Sequence, residues 1–140
     1  MIYFDSAATT KPCREAVSAA VSAAEVFGNP SSLHRVGLDA QKLVEESRRI
    51  ISSKLGVGSG KIYFTSGGTE SNNWAVLGAA HMLRKRGNHV ITTKIEHPSV
   101  LESFKKLEEE GFRVTYLTPE KNGIVSEREI EKAVDEDTIL

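Results

Sequence analysis

Cysteine is nearly absent: Cys13 is the only one in 140 residues. A single thiol rules out an intrachain disulfide and leaves too few thiolates for a cysteine-based zinc or iron–sulfur centre. Charge of one sign is missing too, since 18 lysines and arginines stand against 19 aspartates and glutamates for a formal net charge of −1. No whole-molecule field therefore draws the chain to nucleic acid or to an anionic membrane, and any ligand has to be held by a local feature. Long apolar runs are lacking as well. The opening residues MIYFDSAATT show no basic segment followed by an apolar one, so no secretory signal is legible there, and no later stretch approaches membrane-spanning length. These absences together predict a cytoplasmic protein with neither a membrane nor a nucleic-acid partner.

What is present is the composition of one ordinary globular domain, 39% hydrophobic and 26% charged, long enough to bury about two-thirds of its extended surface. Residues IYFD read as a short strand, and Pro12 suits the first turn of the helix that follows. PCREAVSAAVSAAEVFG predicts that helix, with Val17, Val21, Ala24 and Phe27 recurring on one buried face. Gly28, Pro30 and two serines break the pattern in GNPSSLHRVG, a loop whose side chains are open to contacts. LDAQKLVEESRRIISSKLG gives a second amphipathic helix, with Leu43, Val44, Ile50, Ile51 and Leu55 grouped and a glycine to stop it. KIYFTS then reads as a buried strand and NNWAVLGAAHMLRKRG as a helix through Trp74, Leu77 and Leu83. Arg84, Lys85 and Arg86 fall at its carboxyl end, where the helix dipole and water account for them without a phosphate.

The alternation repeats as strand HVITTKIE, helix PSVLESFKKLEEEG, strand FRVTYLTP and helix SEREIEKAV, with Ser126 and Glu129 spaced as a capping box. Strands separated by helices favour a parallel sheet covered by helices, because parallel neighbours need long crossovers. The fold class is α/β. The last residues, DTIL, read as the start of a further strand, which predicts a sheet continuing past Leu140.

Chemistry concentrates at two strand ends. In FTSGGTESNN, Gly67 and Gly68 offer a sharp turn and a close backbone approach, and the helix opening after them presents unpaired N–H groups. With the Thr69 hydroxyl added, a phosphate finds backbone and side-chain donors in one place. The same residues also read as a tight connection in which Ser66 or Thr69 caps the helix. GVGSGK, residues 56–61, resembles a nucleotide loop only superficially: its spacing fits neither common fingerprint, and it precedes a strand where such loops follow one. In TTKIEHPSV, His97 sits at a strand's carboxyl end before Pro98, where an imidazole can stack on a flat cofactor and exchange protons or simply serve a surface turn. Glu70 and Glu96 read as helix-end charges and His34 as a loop histidine. His81 and His89 carry no signal, and no histidine–carboxylate spacing suggests a metal.

Taken in order, YFDSAATT, FGNPSSLHRVG, FTSGGTESNN, TTKIEHPSV, KNGIV and DEDTIL resemble the amino-terminal part of cysteine desulfurases of the NifS/IscS type, in the class V aminotransferase superfamily, over essentially the whole chain. The resemblance implies an aspartate-aminotransferase-type fold (pyridoxal-phosphate fold type I), pyridoxal 5′-phosphate as cofactor, and a homodimer that uses L-cysteine as sulfur donor. Residues 1–15 would then belong to the small domain or active-site region, and residues 16–140 to the first part of the cofactor-binding large domain. Gly68 and Thr69 match positions that contact the cofactor phosphate. His97 matches the histidine stacked on the pyridine ring and assisting proton transfer, and Asn29 lies near the family's active-site region. The implied products are alanine and an enzyme persulfide passed to an iron–sulfur scaffold or another acceptor. The family's cofactor-linking lysine, its aspartate for the pyridine nitrogen and its persulfide-forming cysteine fall after Leu140, which predicts an inactive isolated segment. Neither Lys94 nor Cys13 matches a missing position. Selenocysteine lyase, another enzyme of the superfamily, and a noncatalytic binding or assembly module remain the alternatives.

Overall fold

The computed structural model describes residues 2–58 and 62–140, and the chain clusters into two compact units, Met1–Tyr63 and Phe64–Leu140. The first unit holds two helices, α1 (Arg14–Ala24) and α2 (Arg35–Leu55). Cys13 begins α1: its Sγ accepts from the Ala16 N–H at 3.4 Å, filling one of the orphan donors of a helix start. The face expected to be buried is not, with Val17 49%, Val21 59% and Phe27 87% exposed. Apolar spacing marks the side of a helix that seeks a partner; it does not supply one, and no residue of α1 is buried.

The α2 helix is capped at both ends. His34 Nδ1 accepts from the Gly37 N–H at 3.3 Å, and the preceding loop packs so closely that a Cβ on Gly37 would lie 2.3 Å from the Ser32 carbonyl oxygen. Gly56 ends the helix with φ 67°, the left-handed conformation that glycine adopts without steric cost. The expected helix stop at the start of GVGSGK is therefore present, while Ser59, Gly60 and Lys61 lie outside the described residues. Two expected strands do not form: residues 2–5 and 62–65 belong to no strand. High β-propensity readies a segment for pairing, and a strand exists only where a neighbour takes up its ladder.

The second unit contains α3 (Gly68–Leu83), β1 (His89–Thr93), α4 (Pro98–Glu109), β2 (Arg113–Leu117) and α5 (Glu127–Ala133). The two strands pair in parallel, His89 opposite Arg113 through Thr93 opposite Leu117, with α4 as the crossover. The expected strand at DTIL is reduced to a parallel bridge between Thr138 and His89, supported by Ile139 N–H to the His89 carbonyl and Ile91 N–H to the Leu140 carbonyl, both 2.8 Å. Ala80, Val90, Phe104, Leu107 and Phe112 form the core, with Val100, Val114 and Ile139 packed on it. Leu107 and Val90 are fully buried, each contributing about 1.5–3 kcal/mol relative to exposure.

Polar side chains complete this unit in ways spacing did not reveal. His89 is fully buried, with Nδ1 2.7 Å from Thr138 Oγ1 and Nε2 2.8 Å from Thr115 Oγ1. Thr138 in turn donates to Asp135 Oδ1 at 3.1 Å, so it accepts from His89 Nδ1–H and leaves Nε2 to take the Thr115 proton. Arg84 does more than face the helix dipole: its guanidinium stacks 4.6 Å from the Phe112 ring centroid and donates to the Glu110 carbonyl at 2.9 Å. The expected capping box is absent, because Ser126 makes no side-chain cap bond and Glu129 is drawn to Lys132 at 2.6 Å. Among the described residues no helix is long and apolar enough to cross a membrane.

Candidate functional site

At the carboxyl end of β1 the chain turns through Lys94–Glu96 into α4. Thr93 Oγ1 donates to Glu96 Oε1 at 2.8 Å, so this carboxylate is bound into the turn. His97 is the N-cap of α4 and Pro98 its first residue, where the missing N–H of proline costs nothing. The imidazole caps through its own ring: Nδ1 accepts from the Ser99 N–H at 3.1 Å and lies 2.8 Å from Ser99 Oγ. His97 is exposed, and among the described residues its Nε2 has no hydrogen-bond partner.

The start of α3 has a different character. Gly67 is the N-cap and offers no side-chain bond, and Ser71 is the first residue whose N–H is satisfied, by the Gly67 carbonyl at 3.1 Å. The N–H groups of Gly68, Thr69 and Glu70 thus have no acceptor among the described residues, where unpaired donors and the helix dipole favour an anion. Neither Ser66 nor Thr69 caps the helix, contrary to that expectation. Ser66 instead donates from N–H and Oγ to Glu70 Oε2, at 2.6 and 2.7 Å. Those two bonds, the hydroxyl's first, hold the Glu70 carboxyl below its usual range. The sharp glycine turn is also absent: Gly67 is fully extended at φ 165°, and neither glycine is left-handed. A Cβ on Gly67 or Gly68 would meet nothing within 4 Å. The chain's own packing does not require glycine there, and the pair leaves room for close approach from outside.

One hydrogen bond joins these two helix starts. Asn72, one turn into α3, donates from Nδ2 to Ser99 Oγ in the first turn of α4 at 2.8 Å. Donors at Gly68 and Thr69 and the exposed imidazole of His97 are thereby brought to one end of the α3–α4 pair. The donor set fits a phosphate, since it comprises three backbone N–H groups and the Thr69 hydroxyl, and the flat ring of His97 suits an aromatic partner. Asn72 and Ser99 were not singled out from the sequence. Their only signal is a polar residue close to each of two helix starts, Asn72 one turn into α3 and Ser99 in the first turn of α4.

Other sequence candidates are committed elsewhere. Asn29 Oδ1 accepts from the Ser31 N–H of its own loop at 2.9 Å, His34 caps α2, and His89 belongs to the core. His81 Nε2 lies 2.6 Å from Glu110 Oε2, a hydrogen bond that lowers the Glu110 carboxyl. A groove of about 510 Å³ beside β1 is lined by Ile91, Thr93, Glu96, Leu117 and Leu140 but by neither Thr69 nor His97. No group of three or more histidine, cysteine, aspartate or glutamate side chains able to hold a metal comes together among the described residues.

Comparison with known proteins bears on this arrangement. Residues 2–140 match the family model described as aminotransferase class-V. The chain is 48% identical over 141 residues to a NifS/IcsS protein homolog of Lactobacillus delbrueckii subsp. bulgaricus, covering 100% of this chain and 37% of the relative. It is 46% identical over 141 residues to the cysteine desulfurase IscS of Dictyoglomus turgidum, covering 99% of this chain and 36% of the relative. A solved structure of SspA in complex with cysteine superposes with a TM-score of 0.88 at 37% identity, covering 97% of this chain and 40% of that one. The chain thus spans a little over a third of the length of the curated relatives it matches. With the match running almost from end to end and the parallel β–α–β unit in common, the chain belongs to the aminotransferase class-V family, as a portion similar to the first part of its NifS/IscS-type cysteine desulfurases.

Proposed function

We propose that this chain is the amino-terminal part of a pyridoxal-phosphate-dependent cysteine desulfurase that converts L-cysteine to L-alanine and passes the sulfur to an enzyme cysteine as a persulfide. The observation that carries the reading is the Asn72–Ser99 hydrogen bond, because it sets an anion-seeking helix start beside an exposed histidine. Support comes also from relatives named cysteine desulfurase and from a similar structure held in complex with cysteine. The class V family uses pyridoxal phosphate generally, and when bound the cofactor supplies an electron sink for the substrate's α-carbon.

The roles of this chain's residues follow from their atoms. Backbone N–H groups at Gly68 and Thr69, with the Thr69 hydroxyl, bind the phosphate and so fix the position of the reacting carbon. His97 offers a ring face for stacking and Nε2 as the atom that holds or moves a proton. We assign residues 1–15 to the small domain or active-site region and residues 16–140 to the cofactor-binding large domain. The cofactor-linking lysine, the aspartate for the pyridine nitrogen and the persulfide-forming cysteine belong to the part of the relatives that this chain does not span. The complete enzyme is a cytoplasmic homodimer serving an iron–sulfur scaffold or another sulfur acceptor.

The protein at its natural length, loaded with pyridoxal phosphate and given L-cysteine, should release alanine in step with sulfane sulfur recovered by a thiol acceptor. Amino-group exchange with a keto acid and no sulfur release would replace desulfuration by transamination.

A further inference from the structure

We infer that Asn72 and Ser99 are positioning residues for His97, forming a directed hydrogen-bond relay that holds the ring and keeps the proton of the neutral imidazole on Nε2. The inference deepens the reading of His97 given above and rests on it for its functional meaning; the relay itself rests on geometry alone. A backbone N–H can only donate. With the Ser99 N–H 3.1 Å from Nδ1, that nitrogen is the acceptor, and a neutral imidazole that accepts at Nδ1 carries its proton at Nε2.

The side chains point the same way. Asn72 Nδ2 can only donate, so Ser99 Oγ accepts from it at 2.8 Å. The Ser99 hydroxyl proton is then free to point at Nδ1, 2.8 Å away. Were the Asn72 amide turned over, Oδ1 would take that hydroxyl proton, yet the backbone donor would still hold Nδ1 as an acceptor. The α4 backbone thus favours the Nε2–H tautomer in either amide orientation, and the Ser99 hydroxyl, turned towards Nδ1 by the Asn72 donor, strengthens that preference and holds the ring. Ser99 is only 8% exposed and Asn72 is half-buried, so water is a poor substitute for either partner.

Placement gives the relay its purpose. Asn72 stands on the helix whose first residues are Gly68 and Thr69, so the element proposed to fix the phosphate also orients the ring proposed to act on the cofactor. Nε2–H is left without a partner among the described residues, while Nδ1 is engaged by Ser99.

The test is nitrogen NMR of the full chain labelled with ¹⁵N in its histidine rings, with His97 assigned by its loss in His97→Gln. His97 should give the pattern of an Nε2–H tautomer. Asn72→Asp keeps the side-chain shape but accepts the Ser99 proton, and it should move part of the population to the Nδ1–H form. Ser99→Ala should broaden or mix the two forms, and Ser99→Thr, which restores the hydroxyl, should return the wild-type pattern. A wild-type ring protonated at Nδ1 overturns the relay without any variant having to fold. So does a folded Asn72→Asp chain with an unchanged His97 spectrum, which would reduce Asn72 to packing. Should the tautomer be as inferred while His97→Ala leaves pyridoxal phosphate binding intact in the protein at its natural length, the relay stands and the reading of the site falls.

Discussion

His34 and His97 perform the same local act in the two units of the molecule. Each precedes a helix, and each turns Nδ1 onto a backbone N–H of the first turn, that of Gly37 at 3.3 Å in one case and of Ser99 at 3.1 Å in the other. What surrounds them differs. In the first unit the buried positions of α1 and α2 are Gly37, Ala40 and Ser52, and large apolar side chains such as Phe27 and Leu55 stand exposed. In the second, a parallel β–α–β unit encloses Val90, Phe104, Leu107 and Phe112, and the capping histidine acquires supports from a neighbouring helix. Caps and propensity suffice to draw a helix, but a core, and a side chain held from two directions, needs elements distant in sequence to cross.

The comparison breaks most readily at Leu107. Leu107→Ala empties a fully buried position and should lower the unfolding free energy of the second unit by about 2–5 kcal/mol, measured by urea denaturation. Amide exchange should find the strongest protection in β1, α4 and β2 and the weakest in α1; α1 amides outlasting those of α4 would reverse the contrast. In the first unit the corresponding change is local. Gly56→Ala places a Cβ in open space but at φ 67°, so its cost of about 1–2 kcal/mol is conformational and should fray the last turn of α2.

Acid should sharpen the contrast with a smaller effect. Glu46 is held below the usual carboxylate range by its hydrogen bond from Arg49, three residues away on one helix. Asp135 is held low chiefly by Arg113, 22 residues distant at 2.6 Å. A carboxyl lowered by folding adds stability above its unfolded pKa and loses it as pH falls through its folded value. Both pairs are exposed and weak, but the distant one exists only in the folded chain. Arg113→Gln should therefore flatten the acid dependence of the second unit more than Arg49→Gln flattens that of the first, as read from unfolding curves at descending pH.

Much of the architecture was legible because it follows from local rules. The apolar spacing through Leu77 and Leu83 gave α3, the alternation of strands and helices gave the parallel pair, and Gly56 marked the end of α2. Strands at IYFD and KIYFTS were misread, since composition reports readiness to pair and not the presence of a partner. The buried face of α1 failed for the same reason. Thr69 and His97 stood out because hydroxyl and imidazole groups beside glycine and proline at helix starts carry recognisable chemistry. Asn72 and Ser99 could not be linked from sequence, being 27 residues apart and brought together only by the packing of α3 on α4. His89 was passed over because a histidine in a strand shows no sign of the two threonines that satisfy it.

The most direct measurement is the affinity of the protein at its natural length for pyridoxal phosphate, followed by cofactor absorbance, in wild type and in the Thr69→Ala, His97→Ala double variant. The proposed hold of the two helix starts on phosphate and ring predicts a loss of binding on the order of a hundredfold, as expected for removing a hydroxyl donor and a stacking ring together. Equal affinity in the two proteins would show that the cofactor is held elsewhere.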